Sequence, residues 1–272
     1  MQLTNEELDQ FHTLGYVVKP AVFTQSDMQP IKAAINETVN AKARQLYAAG
    51  QLADLCANEP FETRLAAIQA VDAAAAQAIV QHLSGKGGGG YSGPAMLAML
   101  RHASLLGCIT SLIGPDIVGS SVYRIRPKMP LWTRGEVPWH QDSGYLDATI
   151  PHPPYLTCWC ALDDMSEENG TVYVLPQSRL GIRARVEHQK DADLNDLVGY
   201  FGSDPGDPIL CRAGSIALFS SHTFHRSGWN RSPRLRRVYL IQYSGEQIHR
   251  PDGGVHGRGE CFLRDGVRIA QR

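Results

Sequence analysis

The sequence predicts a mainly β fold with flanking α-helices, in which an antiparallel sandwich or barrel follows a helical N-terminal half. Three observations carry that expectation. The first half shows capped segments with helical spacing of apolar residues. After Asp116 the texture changes to short β-rich runs at 118–126, 155–162, 171–175, 215–219 and 236–243. Those runs are divided by turns rich in Gly, Pro, Asn and Asp, the pattern of antiparallel all-β architectures.

Taken in order, Thr4-Asn5-Glu6-Glu7 resembles a capping box, with Leu8, Phe11 and Leu14 spaced for one buried face. Gly15 stops that helix, and Tyr16-Val17-Val18 reads as a strand. A second helix is expected after Thr24 or Ser26, running towards Ala49, where Gly50 suits a C-terminal cap. Alanine-rich residues 62–83 and then 96–112 favour two more helices by propensity. The glycine-rich stretch 84–94 lacks the order of a phosphate-cradling loop and reads as a flexible connector or active-site flap. Asn169-Gly170 suits a tight hairpin. Residues 186–208 read as an acidic insertion, a loop or a short helix expected over the barrel mouth, and the tail after Gly253 is poorly patterned. All 272 residues are read as one domain, with a helical region at about 1–115 and a barrel core at about 116–245.

Composition excludes several functions. The formal charge of −1 gives no reason to expect nucleic acid or an anionic membrane surface as partner. No apolar run approaches the roughly 20 residues that span a bilayer. The first residues lack the basic and apolar regions of a signal peptide, so a cytoplasmic location is expected. The six cysteines show no CxxC pair, and Cys158 and Cys160 read as small apolar filler of a reduced interior.

The chemistry concentrates in Trp139-His140-Gln141-Asp142, read with His225 and Arg236. On a strand, residues two apart face the same way, so His140 and Asp142 can address one point. A second imidazole from a neighbouring strand, His225, completes two nitrogens and one carboxylate on one face of a metal. That set leaves the other face open to substrate and dioxygen, as in non-haem iron oxygenases. His222 competes with His225, but three positions along a strand reverse the face, so it is expected in a turn or pocket wall. His12, His102, His152 and His188 read as surface or cap residues.

These residues carry a resemblance. The segment from Leu3 to Val18, Trp139-His140-Gln141-Asp142, the run Glu168-Asn169-Gly170-Thr171-Val172-Tyr173-Val174-Leu175-Pro176-Gln177-Ser178, and His225-Arg226-Ser227-Gly228-Trp229-Asn230 through Arg236-Arg237 resemble the phytanoyl-CoA dioxygenase family. The resemblance covers nearly the whole chain, loosely from about 40 to 115. It implies a double-stranded β-helix, a jelly-roll or cupin-like barrel with helices packed outside. It implies iron(II) held by His140, Asp142 and His225, and 2-oxoglutarate held at its distal carboxylate by Arg236 with help from Ser227. Lys128 resembles a family lysine that also reaches the cosubstrate, one residue off in its spacing to His140. A guanidinium suits that task because it binds a carboxylate through two parallel hydrogen bonds. Arg237 must face the opposite way and reads as a partner in a surface ion pair.

The implied reaction is hydroxylation of an aliphatic C–H bond of a small molecule with O₂, while 2-oxoglutarate is split to succinate and CO₂. Desaturation and epimerisation begin the same way and stay open. Asp142 argues against halogenation, since related halogenases carry a small residue there. Pro176-Gln177-Ser178-Arg179 stands where relatives tend to read Pro-Gly-Ser-His, and this leaves substrate class open. If Arg124, Arg126 and Arg179 line the pocket with Tyr145, Trp159 and Trp229, a zwitterionic or anionic metabolite is expected: an amino acid, a betaine or an aminophosphonate. An apolar lining would favour a hydrophobic natural product or acyl substrate. Two other classes share the triad: a zinc hydrolase, against which Arg236 and Ser227 argue, and a non-catalytic binding barrel.

Overall fold

The computed structural model describes residues 1–84, 93–119, 124–132, 135–145, 155–176, 205–245, 260–264 and 267–268. Helix α1 (Asn5–Leu14) opens on the expected capping box, Thr4 and Glu7 satisfying each other's backbone amides. Gly15 closes it with φ 81°, a left-handed conformation that a side chain would resist. Strand β1 (Tyr16–Lys19) follows, and α2 (Gln25–Ala48) repeats the box with Thr24 and Asp27. The buried positions of α2 (Met28, Ile31, Ile35, Val39, Ala43 and Leu46) recur every three or four residues, which makes one continuous apolar stripe.

Two helices expected to be continuous are each broken in two. The 62–83 stretch becomes α3 (Arg64–Val71) and α4 (Ala73–Ser84). Between them Asp72 is extended, and its carboxylate accepts from the Ala75 amide at 2.9 Å. A capping aspartate overrides the propensity of the alanines around it. The 96–112 stretch becomes α5 (Pro94–Leu100) and α6 (Ala103–Ile113), with His102 extended at the junction. Among the described residues no single helix is long and apolar enough to cross a membrane.

The remaining strands are β2 (Ile117–Gly119), β3 (Arg124–Lys128), β4 (Val137–His140), β5 (Tyr155–Ala161), β6 (Val172–Leu175), β7 (Asp207–Pro208), β8 (Ile216–Ser220), β9 (Phe224–Ser227), β10 (Arg236–Ser244), β11 (Glu260–Arg264) and β12 (Val267–Arg268). They form two antiparallel sheets. The larger runs β1-β8-β5-β10-β2-β11-β12, with β3 also paired to β10, and the smaller runs β4-β9-β6-β7. This is the mainly β, double-stranded β-helix that the sequence predicts. Two expectations change. Asn169-Gly170 is a turn but not a hairpin, because β5 and β6 lie in different sheets. The tail read as unpatterned contributes β11, which pairs with β2.

Alternation along β10 explains the layering. Tyr239, Ile241 and Tyr243 join Cys158, Cys160 and Leu218 in the core under the helices. Val238 and Leu240 face the other way and pack with Trp159, Ala217, Phe219, Val172 and Val174 between the two sheets. Cys158 and Cys160, their sulfurs 3.8 Å apart on the helix side, are the buried filler expected of them. Polar residues that appear on the inner face therefore stand inside an apolar barrel.

Candidate metal centre

Strands β4 and β9 place His140 directly across from His225. Their rings lie 4.1 Å apart between centroids. Asp142 reaches the same point by a different route from the one predicted. Strand β4 ends at His140, and Asp142 opens a one-turn 3-10 helix (Asp142–Tyr145) instead of continuing on the same strand face. Its Oδ1 lies 3.9 Å from His140 Nε2 and 4.0 Å from His225 Nε2. One donor atom from each residue falls within 4.8 Å of the others, a set that small side-chain rotations could close onto one ion.

Backbone carbonyls fix which nitrogen each imidazole presents. His140 Nδ1 lies 2.9 Å from Pro138 O, and His225 Nδ1 lies 3.0 Å from Thr223 O. A carbonyl only accepts, so each Nδ1 carries the proton and each Nε2 keeps its lone pair for a metal. Phe219 stacks on the His225 ring at 5.5 Å, which fixes its plane. The second carboxylate oxygen, Asp142 Oδ2, accepts from the Thr157 hydroxyl. Burial pushes the Asp142 pKa up, but His225, His140, Thr157 and the Gln242 amide outweigh it and hold the group below the ordinary carboxylate range.

A second cluster lies along the inner face of β10 and β3. Arg236 is wholly buried, and its Nη2 donates to Gly170 O at 2.5 Å. Its Nε and Nη1 have no partner among the described residues, nor does the buried Ser227 hydroxyl. Ser227 is two residues from His225 on β9 and so shares its face. Lys128 is the cross-strand partner of Arg236. Its ammonium donates to Gly135 O at 2.6 Å and to Gly228 O. Burial and the neighbouring Arg236 lower its pKa to about 7, and burial lowers that of Arg236 to about 10. Gly170 permits this crowding: with φ 76°, a Cβ there would stand 2.7 Å from Gly228 O. An unpaired buried guanidinium is costly. Orphaned donors beside it make a cradle for an anion.

Arg237 faces the helices, as alternation requires, but its ion pair with Asp163 is buried and not on the surface. His222 stays out of the triad, bonded instead to the Ser220–Ser221 turn, and its carbonyl accepts from Gln141. Trp139 points away from the metal side and packs with Tyr173 beneath Arg226, whose guanidinium carbon lies 5.3 and 4.2 Å from the two rings. Trp159 lies inside the barrel, 5.9 Å from the Arg236 guanidinium. Trp229 is half-buried. Arg179, the Tyr145 side chain, residues 85–92 and most of 186–208 lie outside the described residues. Thr157 and Gln242 were missed by the sequence reading, although a polar residue at an inward position of an apolar strand is a usable signal.

Known proteins resemble this chain in sequence and in fold. A family model described as phytanoyl-CoA dioxygenase (PhyH) matches residues 11–238. The chain is 30% identical over 113 residues to mouse (Mus musculus) phytanoyl-CoA dioxygenase domain-containing protein 1, covering 39% of this chain and 38% of that one. It is 30% identical over 117 residues to a probable alpha-ketoglutarate-dependent hypophosphite dioxygenase of Stutzerimonas stutzeri, covering 40% and 39%. The chain thus spans about two fifths of the length of these curated relatives. Among solved structures, the non-heme alpha ketoglutarate dependent carbocyclase SnoK from nogalamycin biosynthesis shares the fold with a TM-score of 0.62 at 21% identity, over 92% of this chain and 87% of that one.

Proposed function

The chain belongs to the phytanoyl-CoA dioxygenase family, and we propose that it is an iron(II)- and 2-oxoglutarate-dependent dioxygenase hydroxylating an aliphatic C–H bond of a small anionic or zwitterionic metabolite. We read residues 1–272 as one such domain. One observation carries the reading: a triad of two imidazoles and a carboxylate shares a barrel with a buried guanidinium whose Nε and Nη1 have no partner among the described residues. His140, Asp142 and His225 would hold the iron, a donor set with one face left for other ligands. Arg236 and Ser227 would take the distal carboxylate of 2-oxoglutarate, with Lys128 adding charge beside them. When bound, iron(II) and 2-oxoglutarate would activate O₂, the oxidant for C–H cleavage, with 2-oxoglutarate oxidised to succinate and CO₂.

The rest is the work of the protein. The carbonyls of Pro138 and Thr223 keep both histidines in the metal-binding tautomer. Val172, Val174, Phe219, Val238 and Leu240 line the space between the sheets with apolar surface that excludes water. Substrate class rests on β3. Its residues Arg124 and Arg126 pair across from Leu240 and Val238, so they share the inward face with Arg236 and Lys128. Such a row of cations suits an anionic group on the substrate, and a hypophosphite dioxygenase among the relatives is consistent with it. SnoK, named for nogalamycin biosynthesis, supports a second reading, the same chemistry on a hydrophobic natural product. The two half-buried arginines disfavour it. A zinc hydrolase would leave Arg236 and Ser227 without a task.

The test is anaerobic loading with ferrous iron, then 2-oxoglutarate and O₂ with a metabolite panel, following succinate. Iron-dependent succinate formation stimulated by an anionic compound is expected. Absence of iron-dependent succinate, or turnover supported by zinc alone, overturns the reading.

A further inference from the structure

Strands β5 and β10 set Thr157 and Gln242 directly across from each other. Both are buried, and both belong to the inward rows that also carry Trp159 and Leu240. The Thr157 hydroxyl donates to Asp142 Oδ2, whereas Oδ1 is the oxygen that faces both imidazoles. The Gln242 side chain acts on the same carboxylate and helps to hold its pKa down. A carboxylate accepts only, so the amide must turn Nε2 towards it. Gln242 Oε1 is then left buried with no partner among the described residues. Retaining a half-satisfied amide inside an apolar barrel is costly. The interaction with Asp142 is what this placement secures.

We propose that Thr157 and Gln242 are positioning residues that hold the Asp142 carboxylate, Thr157 by its outer oxygen, so that the carboxylate offers a metal one oxygen only. This rests on the metal-centre reading above. With Oδ2 engaged, the carboxylate resists rotation about its Cβ–Cγ bond. Without the clamp, Oδ2 is free to become a second ligand and to occupy a position that cosubstrate or dioxygen would need. Both residues act through Asp142 and need touch neither substrate nor cofactor.

The test uses the full chain and cobalt(II) as a spectroscopic substitute for iron. Metal affinity is measured by calorimetry and ligand geometry by the visible ligand-field spectrum, for wild type, Thr157→Val, Thr157→Ser and Gln242→Leu. Thermal melting of each metal-free protein confirms folding. Loss of partners that orient metal ligands lowers metal affinity by about 10–100-fold. Thr157→Val is expected near the lower end with an altered spectrum, Gln242→Leu in the same direction, and Thr157→Ser close to wild type because it keeps the hydroxyl. Wild-type affinity and spectrum in both Thr157→Val and Gln242→Leu overturn the clamp while leaving the metal centre standing. If Thr157→Val does not fold, Gln242→Leu compared with wild type decides. Failure of the wild-type chain to bind cobalt or iron removes the metal centre itself, and the clamp with it.

Discussion

Arg236 and Arg237 are neighbours on β10 that the strand turns to opposite faces, and among the described residues only Arg237 meets a carboxylate. Arg237 forks onto Asp163, with Nε to Oδ2 at 2.8 Å and Nη2 to Oδ1 at 2.9 Å, and its Nη1 donates to Phe61 O at 2.8 Å. Its guanidinium also lies 3.4 Å from the Phe61 ring centroid. Among the described residues Arg236 has one carbonyl partner and two unpaired nitrogens. One arginine fastens the turn before α3 to the sheet, and the other is the one proposed to take an anion.

Arg236→Met should therefore move stability and binding in opposite directions. Replacing a buried, poorly paired charge with an apolar side chain is often neutral or stabilising by about 1–4 kcal/mol. The melting temperature of the ligand-free protein is expected to hold or rise. Binding of 2-oxoglutarate should weaken by roughly a hundredfold or more, since two charge-assisted hydrogen bonds contribute about 1.5–3 kcal/mol each. Calorimetry showing unchanged cosubstrate affinity would mean that the arginine is misassigned.

Asp163→Ala should instead lower stability. It strands Arg237, which is 1% exposed, without its counter-ion. Breaking one side of a buried pair costs roughly 3–5 kcal/mol. Urea unfolding is the measurement, and a loss below about 1 kcal/mol, the range of exposed pairs, would contradict the assignment.

Lys128 predicts the pH dependence of cosubstrate binding. Its pKa of about 7 means that the ammonium loses its proton as pH rises through neutrality. An arriving dianion favours the charged form, so binding above pH 7 must take up a proton. Affinity for 2-oxoglutarate is expected to be highest below pH 7 and to fall as pH climbs past it. Lys128→Met should bind more weakly at low pH and lose the decline. Calorimetry in buffers of different ionisation enthalpy reads the proton uptake directly, and none in wild type at pH 8 would count against the role.

His225→Ala should abolish iron binding and turnover while leaving the fold intact, because the ring contributes its Nε2 to the triad. Equal iron affinity in that variant and wild type would remove His225 from the site. Arg124→Ala and Arg126→Ala make a different demand. Each should raise the substrate KM by roughly tenfold, the scale of one charged hydrogen bond, with 2-oxoglutarate affinity unchanged. A matching loss of cosubstrate affinity would place those guanidiniums in the wrong subsite.

Much of this was legible in the sequence because it depends on local rules. The capping box at Thr4 fixes one helix start, and period-two alternation puts Arg236 and Arg237 on opposite faces, the family resemblance choosing Arg236 for the inward one. His140, Asp142 and His225 could be named together because their chemistry restricts which side chains serve. What escaped depended on tertiary context. Asp72 breaks a helix with one side chain, and nothing in the alanine pattern marks it. Asp142 reaches the centre from a 3-10 turn, a local geometry that an HxD spacing does not encode. Thr157 became visible only once β5 was seated beside β10, since its task is set by a carboxylate that approaches from another element.

The pairing of His140 with His225 has a consequence for biosynthesis. An emerging polypeptide holds His140 and Asp142 long before His225 leaves the ribosome, and two donors make a poor trap for a ferrous ion. High-affinity uptake of the proposed iron would await docking of β9 onto β4, and β10, which carries Arg236 and joins β5, β3 and β2, follows β9 in the chain. The proposed triad would therefore be complete only late in synthesis, and shorter nascent chains would be spared a tightly held redox-active ion.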